Sequence, residues 1–409
     1  IGYNKKGFWI QNSWGEDWGK KGTALWLYED WQQNLSDAWV LRLAVETPQV
    51  WHLPHEGGSD AGRAEGLFRN SPTRGEIAGH FVHIDDGDIH DSGRYWSNMD
   101  DVRQTARLLA KSDKYFHLLL YAHGGLNKIT ASARRIAAMK ETFKDNRIYP
   151  YHFMYDTGLL EEIKDVVIGK NKEATERAGG LTDWTDKIIE HATHKPGRGL
   201  WRQMKMGART PFAADGAGTL VLKAFLDELS AARNTMQIHL AGHSTGAILH
   251  AYLVEALLAL APELRIGSVS LLAPAATNEL FKSQFLPLLK APKSKAGIDR
   301  MTIYNLSKDL ELDDSVAGVY RKSLLYLVSR AFEENPRPAK ILGMQVHNKS
   351  LVSASKKLSF CYSDGPNNKV TCADSHGGFD NDVATMNSVL RQILSKKPKF
   401  QFTKQSLKY

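Results

Sequence analysis

Cysteine is scarce in this sequence, and long apolar runs are absent. The 409 residues include only two cysteines, Cys361 and Cys372. No apolar run approaches the ~20 residues that a membrane-spanning helix needs, so we expect no transmembrane segment. The two cysteines bracket a turn-rich segment, which predicts a hairpin whose arms could carry a disulfide. Two cysteines alone leave the redox compartment undetermined.

A starting methionine is also missing. The chain begins with Ile1, so we expect a fragment or a processed product, in which a signal peptide cannot be assessed. The composition, with 42% hydrophobic and 24% charged residues, is typical of a soluble globular protein. The localisation stays unknown on these grounds, with the cytoplasm slightly favoured. At about 150 residues per domain, the length fits two or three domains or one large α/β domain.

Acidic residues are outnumbered by basic ones, 45 to 53, which gives a net charge of +8. The basic residues are scattered along the chain except in a tail at 396–409. The lysines of that tail are Lys396, Lys397, Lys399, Lys404 and Lys408. No nucleic-acid-binding motif accompanies them, so we interpret the tail as a solvated end and expect no nucleic-acid partner. Contact with nucleic acid or an anionic membrane is the minority alternative.

No segment has the ligand spacing of a standard metal site. The nearest case is an acidic turn in a predicted hairpin over 81–96, where His83, Asp85, Asp88 and His90 lie close in sequence. Their spacing matches no common ligand pattern, and we interpret them as a solvated turn. The sequence thus predicts no metal and no other cofactor.

The most informative stretch is Gly242-His243-Ser244-Thr245-Gly246. It follows a short apolar run at 238–241, which predicts a buried strand. It precedes a long apolar run at 247–260 without Gly or Pro, which predicts a buried helix. Gly-x-Ser-x-Gly between a strand and a helix is the pattern of a nucleophile elbow, in which a strained turn exposes the serine hydroxyl above the sheet edge. The alternative is a Gly-Ser loop that merely joins a strand to a core helix.

Strands and helices alternate through most of the chain. Predicted strands are 115–122, 149–155, 238–241, 268–272 and 301–305. Predicted helices are 100–110, 131–143, 219–233, 247–260 and 380–394. This alternation predicts an α/β fold with a mostly parallel sheet covered by helices on both faces.

One interruption of that pattern, at 157–217, is too long for a plain crossover. It carries Trp201, Met204 and Phe212 among many lysines and arginines. We interpret it as a helical cap insertion that gates an apolar site. The alternative is a helical excursion that packs away from the site.

Residues with the chemistry of acyl transfer follow in a suitable order. Such a site needs a nucleophile, a base and an acid that orients the base. Ser244, Asp309 and His376 come in the order Ser, Asp, His, and Asp309 follows directly after a predicted strand. Asp313 and Asp314 come shortly afterwards, so the acid stays open among the three. We favour Asp309 and expect the other two to lie at the start of a helix.

The same reaction needs donors for the oxyanion. One is expected from the loop His123-Gly124-Gly125, which ends an apolar strand, and Gly125 is the best match for that amide. The second is the amide of Thr245, directly after the nucleophile. We interpret His123 as a structural residue of its turn.

These motifs place the segment 77–395 in a family resemblance. The segment resembles an α/β-hydrolase of the esterase/lipase type. The resemblance rests on the elbow, on the run Tyr304-Asn305-Leu306-Ser307-Lys308-Asp309, and on Ser375-His376. The resemblance implies the α/β-hydrolase fold. It also implies hydrolysis of a small-molecule or lipid acyl ester through a Ser-Asp-His triad, without a cofactor.

A second resemblance covers residues 1–46. The run Asn12-Ser13-Trp14-Gly15, two residues, Trp18-Gly19, two residues, Gly22 is similar to the C-terminal end of papain-like cysteine peptidases, and its continuation is similar to bacterial members. The resemblance implies that Asn12 matches the asparagine that orients the catalytic histidine and that Trp14 shields this contact. The cysteine and histidine of that chemistry lie outside this chain. The piece is therefore predicted to be a remnant, or one half of a site completed by the missing N-terminal peptidase half.

Between the two resemblances, 47–76 is rich in Pro and Gly and is predicted to be a linker. The favoured function is a serine hydrolase that cleaves acyl esters. The alternatives are a non-catalytic α/β domain that regulates a papain-like peptidase, and a serine peptidase or amidase on the same triad.

Overall fold

The computed structural model describes most of the chain. The described residues are 2–11, 13–34, 71–124, 128–155, 168, 182–230, 235–316, 318–334, 337–366 and 368–409. The chain divides into two compact units, Ile1–Leu67 and Phe68–Tyr409.

The first unit contains a small antiparallel sheet. Its strands are β1 (Gly2–Tyr3), β2 (Gly7–Gln11) and β3 (Thr23–Leu27), with β2 in the centre. The helix α1 (Tyr28–Asn34) follows β3 directly. Phe8 contacts the Tyr28 ring edge to face at 4.9 Å, which is a favourable arrangement for two aromatic rings.

The second unit is built on a nine-stranded sheet. Its strands are β4 (Phe81–Asp85), β5 (Asp88–Ile89), β6 (His117–Ala122), β7 (Ile148–Tyr155), β8 (Gln237–His243), β9 (Arg265–Leu272), β10 (Gly297–Ile298), β11 (Met301–Leu306) and β12 (Leu358–Ser363). The order across the sheet is β12-β11-β9-β8-β6-β7-β4-β5, and β10 pairs with β9. All of these pairs are parallel except β4 with β5. The predicted α/β class with a mostly parallel sheet is therefore confirmed.

Helices of this unit connect the strands. They are α2 (Arg74–Ile77), α3 (Met99–Ala110), α4 (Ile129–Asp145), α5 (Thr182–Ala192), α6 (His194–Arg209), α7 (Ala217–Ser230), α8 (Gly246–Leu260), α9 (Asn278–Gln284), α10 (Leu286–Lys290), α11 (Lys308–Asp313), α12 (Leu324–Leu327) and α13 (Val383–Leu394). Among the described residues, none of the helices combines the length and the apolar character needed to cross a bilayer.

The sheet has a core on each face, because successive strand residues point to opposite sides. Leu118 and Leu120 of β6 belong to the main core cluster, which includes α3, α7 and α8. Leu119 and Tyr121 of the same strand belong to a second cluster with α4 and α13. Since strands buried on both faces are mostly apolar, the nearly continuous apolar run of β6 follows from this layering.

The expected cap at 157–217 lies only partly within the described residues, which here are 168 and 182–217. Ile189 of α5 and Trp201 and Met204 of α6 are fully buried members of the main core cluster. The Trp201 Nε1–H donates to Glu333 Oε1 at 2.6 Å, which anchors α6 to the core. In this part of the insertion, the side chains predicted to line an open pocket fill the core instead.

Several local predictions need correction. The hairpin over 81–96 has a second arm of only two residues, Asp88–Ile89. A helix was predicted to begin near Asp313, but in the structure a helix, α11, ends at that residue. The two cysteines are both free thiols, and only Cys361 lies in a strand. The linker also ends earlier than predicted, because Thr73 caps α2 with a reciprocal Glu76 contact.

The basic tail at 396–409 is more than a solvated end. Its five lysines are exposed, as expected. However, Phe402 and Leu407 are buried in the second core cluster, and the Phe402 ring packs edge to face on Phe143 of α4 at 5.1 Å. The Tyr409 hydroxyl donates to Asp380 at 2.9 Å. Apolar anchors therefore hold the tail on the α4 and α13 face.

Buried histidines are unusually frequent in this unit. Burial is the main cause that lowers the pKa of seven of them: His80, His123, His152, His239, His243, His250 and His376. The opposite case is Glu311, whose pKa is raised to about 9, first by burial and then by Asp314. These shifts connect folding to pH, because the unfolded chain titrates near the ordinary values.

We expect stability to fall as the pH decreases from 7 to 5. The folded chain binds protons at these seven imidazoles less readily than the unfolded chain, whose histidines titrate near pH 6.5, so acid favours unfolding. Glu311 acts in the other direction, but it is one group against seven. Thermal unfolding followed by circular dichroism should give a Tm several degrees lower at pH 5 than at pH 7. A Tm that is equal at both values would contradict this assignment of neutral histidines.

Candidate active site

The sharp turn between β8 and α8 holds Ser244 in a strained conformation. Its φ is +53°, in the left-handed region that non-glycine residues rarely adopt. The Ser244 N–H donates to Leu272 O at 2.8 Å, and the Ser244 carbonyl accepts from Ala275 N–H at 3.0 Å. These two main-chain hydrogen bonds, from the neighbouring β9 and the loop after it, hold Ser244 in a conformation that its own backbone preference disfavours.

Both glycines of the motif are required by close contacts. A Cβ on Gly246 would lie 2.3 Å from the carbonyl oxygen of Ala122, at the end of β6. A Cβ on Gly242 would lie 2.7 Å from His250 Cδ2 of α8. The first contact involves the main chain, which cannot move aside as a flexible side chain does. The start of α8 can therefore approach β6 only because position 246 lacks a side chain.

Ser244 and His376 meet at the carboxyl edge of the sheet. Ser244 Oγ lies 2.9 Å from His376 Nε2, although 132 positions separate the two residues in sequence. His376 begins a short 3₁₀ turn at 376–378. With the imidazole proton on Nδ1, Nε2 accepts the hydroxyl proton, which is the contact that a general base makes with a serine nucleophile.

The environment of His376 keeps its ring neutral. The pKa of His376 is lowered to about 3: burial is the largest cause, neighbouring His243 adds to the lowering, and Asp380 opposes both. An imidazole with this pKa is unprotonated at neutral pH and free to accept a proton. The same burial makes an imidazolium at this position less stable than it is in water.

The structure does not bring Asp309 to His376. Asp309 is exposed in the first turn of α11, whose N-cap is Ser307. A carboxylate at this place favours the helix through its interaction with the N-terminal dipole. The helix-terminal role expected for Asp313 and Asp314 therefore belongs to Asp309, because α11 begins at Lys308.

Asp314 touches the main chain of His376. Its Oδ2 accepts from the His376 N–H at 2.9 Å, and Oδ1 accepts from the Ser315 N–H at 2.8 Å. Burial raises the pKa of Asp314, while these two main-chain bonds lower it. Among the described residues, no carboxylate is hydrogen-bonded to the His376 ring, so Asp314 holds the backbone of the base and not its imidazole.

Asp380 is the most buried carboxylate near the base. Its Oδ2 forms an ion pair with Arg135 Nε at 2.6 Å and accepts from the Tyr121 hydroxyl at 3.2 Å. Burial raises its pKa, but Arg135 and His243 outweigh burial, and the net pKa of Asp380 is lowered. Asp380 is therefore ionised at neutral pH.

His243 lies between Asp380 and the base. Its Nε2 is 2.8 Å from the His376 carbonyl oxygen, and its Nδ1 is 4.0 Å from Asp380 Oδ2. The His243 and His376 rings lie 5.4 Å apart. Burial lowers the pKa of His243, while Asp380 raises it. Sequence reasoning assigned no role to this histidine.

The predicted oxyanion region is described in part. Gly125 lies outside the described residues. Thr245 directly precedes α8, and its Oγ1 lies 2.9 Å from the Tyr155 hydroxyl. That hydroxyl donates to the His123 carbonyl at 2.7 Å. Tyr155, at the end of β7, thus joins the nucleophile turn to the loop after β6, and the structural role expected for His123 agrees with its burial.

The papain-like residues lie in the first unit and are described separately. Asn12 is outside the described residues. Trp14 is 69% exposed, and its ring contacts Trp18 edge to face at 5.2 Å. Trp14 was predicted to shield a catalytic contact. Among the described neighbours of Trp14 in this unit, the structure shows no such contact.

A cavity of about 410 Å³ lies away from the Ser244–His376 pair. Its lining includes Phe81 and Tyr149, near the amino ends of β4 and β7, together with Asn98 and Thr105. Ser244 follows the carboxyl end of β8. Because these are opposite edges of a parallel sheet, the volume of this cavity says nothing about the substrate of Ser244.

The acidic turn near β4 shows one ion-pair contact. His90 Nδ1 lies 3.6 Å from Asp85 Oδ2, and the His90 ring lies 4.4 Å from that of His83. Within the described ranges, no three His, Cys, Asp or Glu side chains are grouped closely enough to hold a metal ion.

The sequence interpretation missed several residues of the site, among them His243, Asp380, Arg135 and Tyr155. Asp380 follows His376 by four residues, and that short spacing next to a candidate base was an available signal. Arg135 and Tyr155 gave none, because an arginine in a helix and a tyrosine ending a strand are ordinary residues at such places.

Comparisons with known proteins leave the family open. No family model and no curated protein matches the chain. One similar solved structure is that of an uncharacterized protein from Pseudomonas aeruginosa, with 11% identity and a TM-score of 0.26. The match covers 66% of this chain and 43% of that one, so this chain spans less than half of its length.

The close approach at Gly246 can be tested by substitution. We expect Gly246→Ala to destabilise the protein by about 1–3 kcal/mol, because the added methyl group meets the Ala122 carbonyl. The matched control is Gly199→Ala in α6, where a Cβ meets nothing within 4 Å. There alanine should stabilise by up to about 1 kcal/mol. Urea unfolding gives both values, and a Gly246→Ala protein as stable as wild type would refute the contact.

Proposed function

We propose that this protein is a serine hydrolase that cleaves acyl esters with Ser244 as nucleophile and His376 as general base. The observation that carries the proposal is the 2.9 Å contact between Ser244 Oγ and His376 Nε2. It occurs at a serine held with φ of +53° between a strand and a helix. Strain of this kind is retained where the surrounding structure and a function require it.

The reaction follows from these positions. The Ser244 Oγ attacks the acyl carbonyl carbon while its proton moves to His376 Nε2, and the carbonyl oxygen becomes an oxyanion. In this proposal the Thr245 N–H, directly after the nucleophile in sequence, donates to that oxyanion. His376 returns the proton to the leaving alkoxide, and a water activated by the same base then releases the acid from the acyl-enzyme.

The assignment of the acid changes. The proposal keeps Ser244 and His376 and does not use Asp309, which is exposed on α11. Since no carboxylate of the described residues is bonded to its ring, His376 acts in this proposal as the base of a dyad, and none of them forms a direct ion pair with its imidazolium. An alkoxide leaves more readily than an amine and depends less on proton donation, so this arrangement favours esters over amides.

A non-catalytic scaffold is the second candidate, and the pair itself argues against it. A scaffold has no need for a left-handed serine or for a buried histidine bonded to its hydroxyl, since each lowers stability. The missing peptidase half remains a predicted partner of the first unit. The acyl ester substrate, whether a small molecule or a lipid, remains a predicted partner of the second.

Replacing the nucleophile tests the proposal directly. We expect Ser244→Ala to lower kcat for a p-nitrophenyl ester by on the order of 10⁶ and to abolish labelling by a fluorophosphonate probe. Mass spectrometry of the labelled wild-type protein should locate the adduct on Ser244. The matched control is Ser270→Ala, a buried serine in β9 whose hydroxyl has no hydrogen-bond partner among the described residues. Hydrolysis by Ser244→Ala at the control rate would exclude Ser244 as the nucleophile.

The neutral state of His376 has its own consequence for the pH profile. Because the pKa of His376 is lowered to about 3, its ring stays neutral at pH 5. A histidine of ordinary pKa is only about 3% neutral there. We expect kcat/KM for the ester at pH 5 to lie within about threefold of its value at pH 7. The assay is run at 25 °C with folding checked by circular dichroism. A loss of about 30-fold that follows one ionisation near pH 6.5 would show an ordinary pKa.

A further inference from the structure

A buried polar cluster lies behind His376, on the α4 and α13 face of the sheet. Its members are Asp380, Arg135, Tyr121, Tyr409 and His243, and we call it the Asp380 cluster. Asp380 and Arg135 have only 1% and 4% of their surface exposed. Burying an ion pair is costly unless the geometry is good and the remaining polar atoms are bonded. A cluster of this kind next to a base calls for an explanation beyond stability.

The Asp380 carboxylate is bonded from several directions. Arg135 Nε and the Tyr121 hydroxyl contact Oδ2, and the Tyr409 hydroxyl donates to Oδ1 at 2.9 Å. Arg135 Nε also donates to the Tyr409 hydroxyl oxygen at 3.3 Å. These groups come from α4, from β6 and from the C-terminal tail. The carboxylate therefore has a fixed position relative to the sheet and cannot rotate without breaking several bonds.

His243 connects this fixed carboxylate to the base. A carbonyl oxygen only accepts hydrogen bonds, so the 2.8 Å contact with the His376 carbonyl requires a proton on His243 Nε2. Nδ1 then faces Asp380 Oδ2 at 4.0 Å and has no hydrogen-bond partner among the described residues. The orientation of its ring is thus set by the hydrogen bond to the His376 carbonyl, while Nδ1 makes no hydrogen bond to Asp380.

The chain from His376 to Asp380 is held at several points. The His376 N–H is bonded to Asp314, its carbonyl to His243, and Asp380 is bonded within the cluster. With its main chain fixed on both sides, the imidazole is directed to Ser244 without a carboxylate on its own ring. In a serine hydrolase of the usual kind, that direct carboxylate does the orienting.

We propose that His243 and Asp380 are positioning residues, which hold the main chain of His376 so that Nε2 stays within hydrogen-bond distance of Ser244. The inference rests on the proposed function. It adds that the Asp380 carboxylate acts through the chain segment 376–380, and that His243 acts through its hydrogen bond to the His376 carbonyl. A displacement of about 1 Å at a reacting group is enough to lower a rate by about 100-fold.

The test compares two substitutions at His243. Gln places an amide N–H near the position of the histidine Nε2–H, so His243→Gln keeps the donor to the His376 carbonyl, and His243→Leu removes it. We expect His243→Leu to lower kcat for a p-nitrophenyl ester by about 10- to 100-fold with KM changed by less than about twofold. His243→Gln should recover most of that loss. A merely structural role would not be restored by one hydrogen-bond donor.

His239→Leu is the matched control, since His239 is equally buried on the same strand and the same face, where its Nδ1 contacts Ser268 Oγ at 2.8 Å. It is expected to lower stability and leave kcat within about twofold of wild type. An equal loss of kcat in both Leu variants, or a His243→Gln protein as slow as His243→Leu, would overturn the proposal. So would a folded His243→Leu protein with wild-type kcat.

Tyr409→Phe gives a second measurement should His243→Leu not fold. It keeps the ring and removes the hydroxyl, with its bonds to Asp380 Oδ1 and Arg135 Nε, and kcat should fall by about three- to tenfold at constant KM. An unchanged kcat would remove Asp380 from the proposal. Failure of the proposed function is recognised separately, because wild-type protein would then show neither ester turnover nor fluorophosphonate labelling of Ser244.

Discussion

The need to satisfy one buried carboxylate organises the region behind the site. Asp380 has 1% of its surface exposed, and its charge is balanced by Arg135. An ionised group in that position would be strongly unfavourable without a counter-charge and donors on both oxygens. Meeting that requirement brings together α4, β6 and the C-terminal residue Tyr409. The last residues of the chain thereby become part of the structure that surrounds His376.

A second constraint acts at the carboxyl edge of the sheet. Parallel strands end at the same edge, so the segments after β6, β8 and β11 and the end of β7 lie together there. His123, Ser244 and Asp314 come from three of these segments, and Tyr155 ends β7. The approach of α8 to β6 at Gly246 then fixes where the serine stands. Nucleophile, base and neighbouring hydroxyls meet because of topology, although their sequence positions are far apart.

Burial gives this site an unusual electrostatic character. His376 and His243 are both inside the protein, and burial is the first cause of the lowered pKa of each. The one carboxylate whose charge raises both pKa values, Asp380, lies behind them and is shared with Arg135. An imidazole of this kind is unprotonated at neutral pH and holds an added proton weakly. In the proposed reaction, that weak hold suits a substrate whose leaving group needs little proton donation.

The sequence by itself determined the layered α/β class and the strained serine turn. Apolar runs separated by turn residues indicate buried strands and helices directly. The pattern Gly-x-Ser-x-Gly indicates a helix that approaches a strand closely, and here Gly246 permits that approach because it has no side chain. Only the tertiary structure showed that Asp309 is exposed on α11 and that the tail packs against the core. Asp309 had the expected place after β11, but one helical turn capped by Ser307 directs it to solvent. Asp380 and Tyr409 gave no periodic signal, because a buried ion pair depends on which residues of distant segments meet, and local sequence does not encode that meeting.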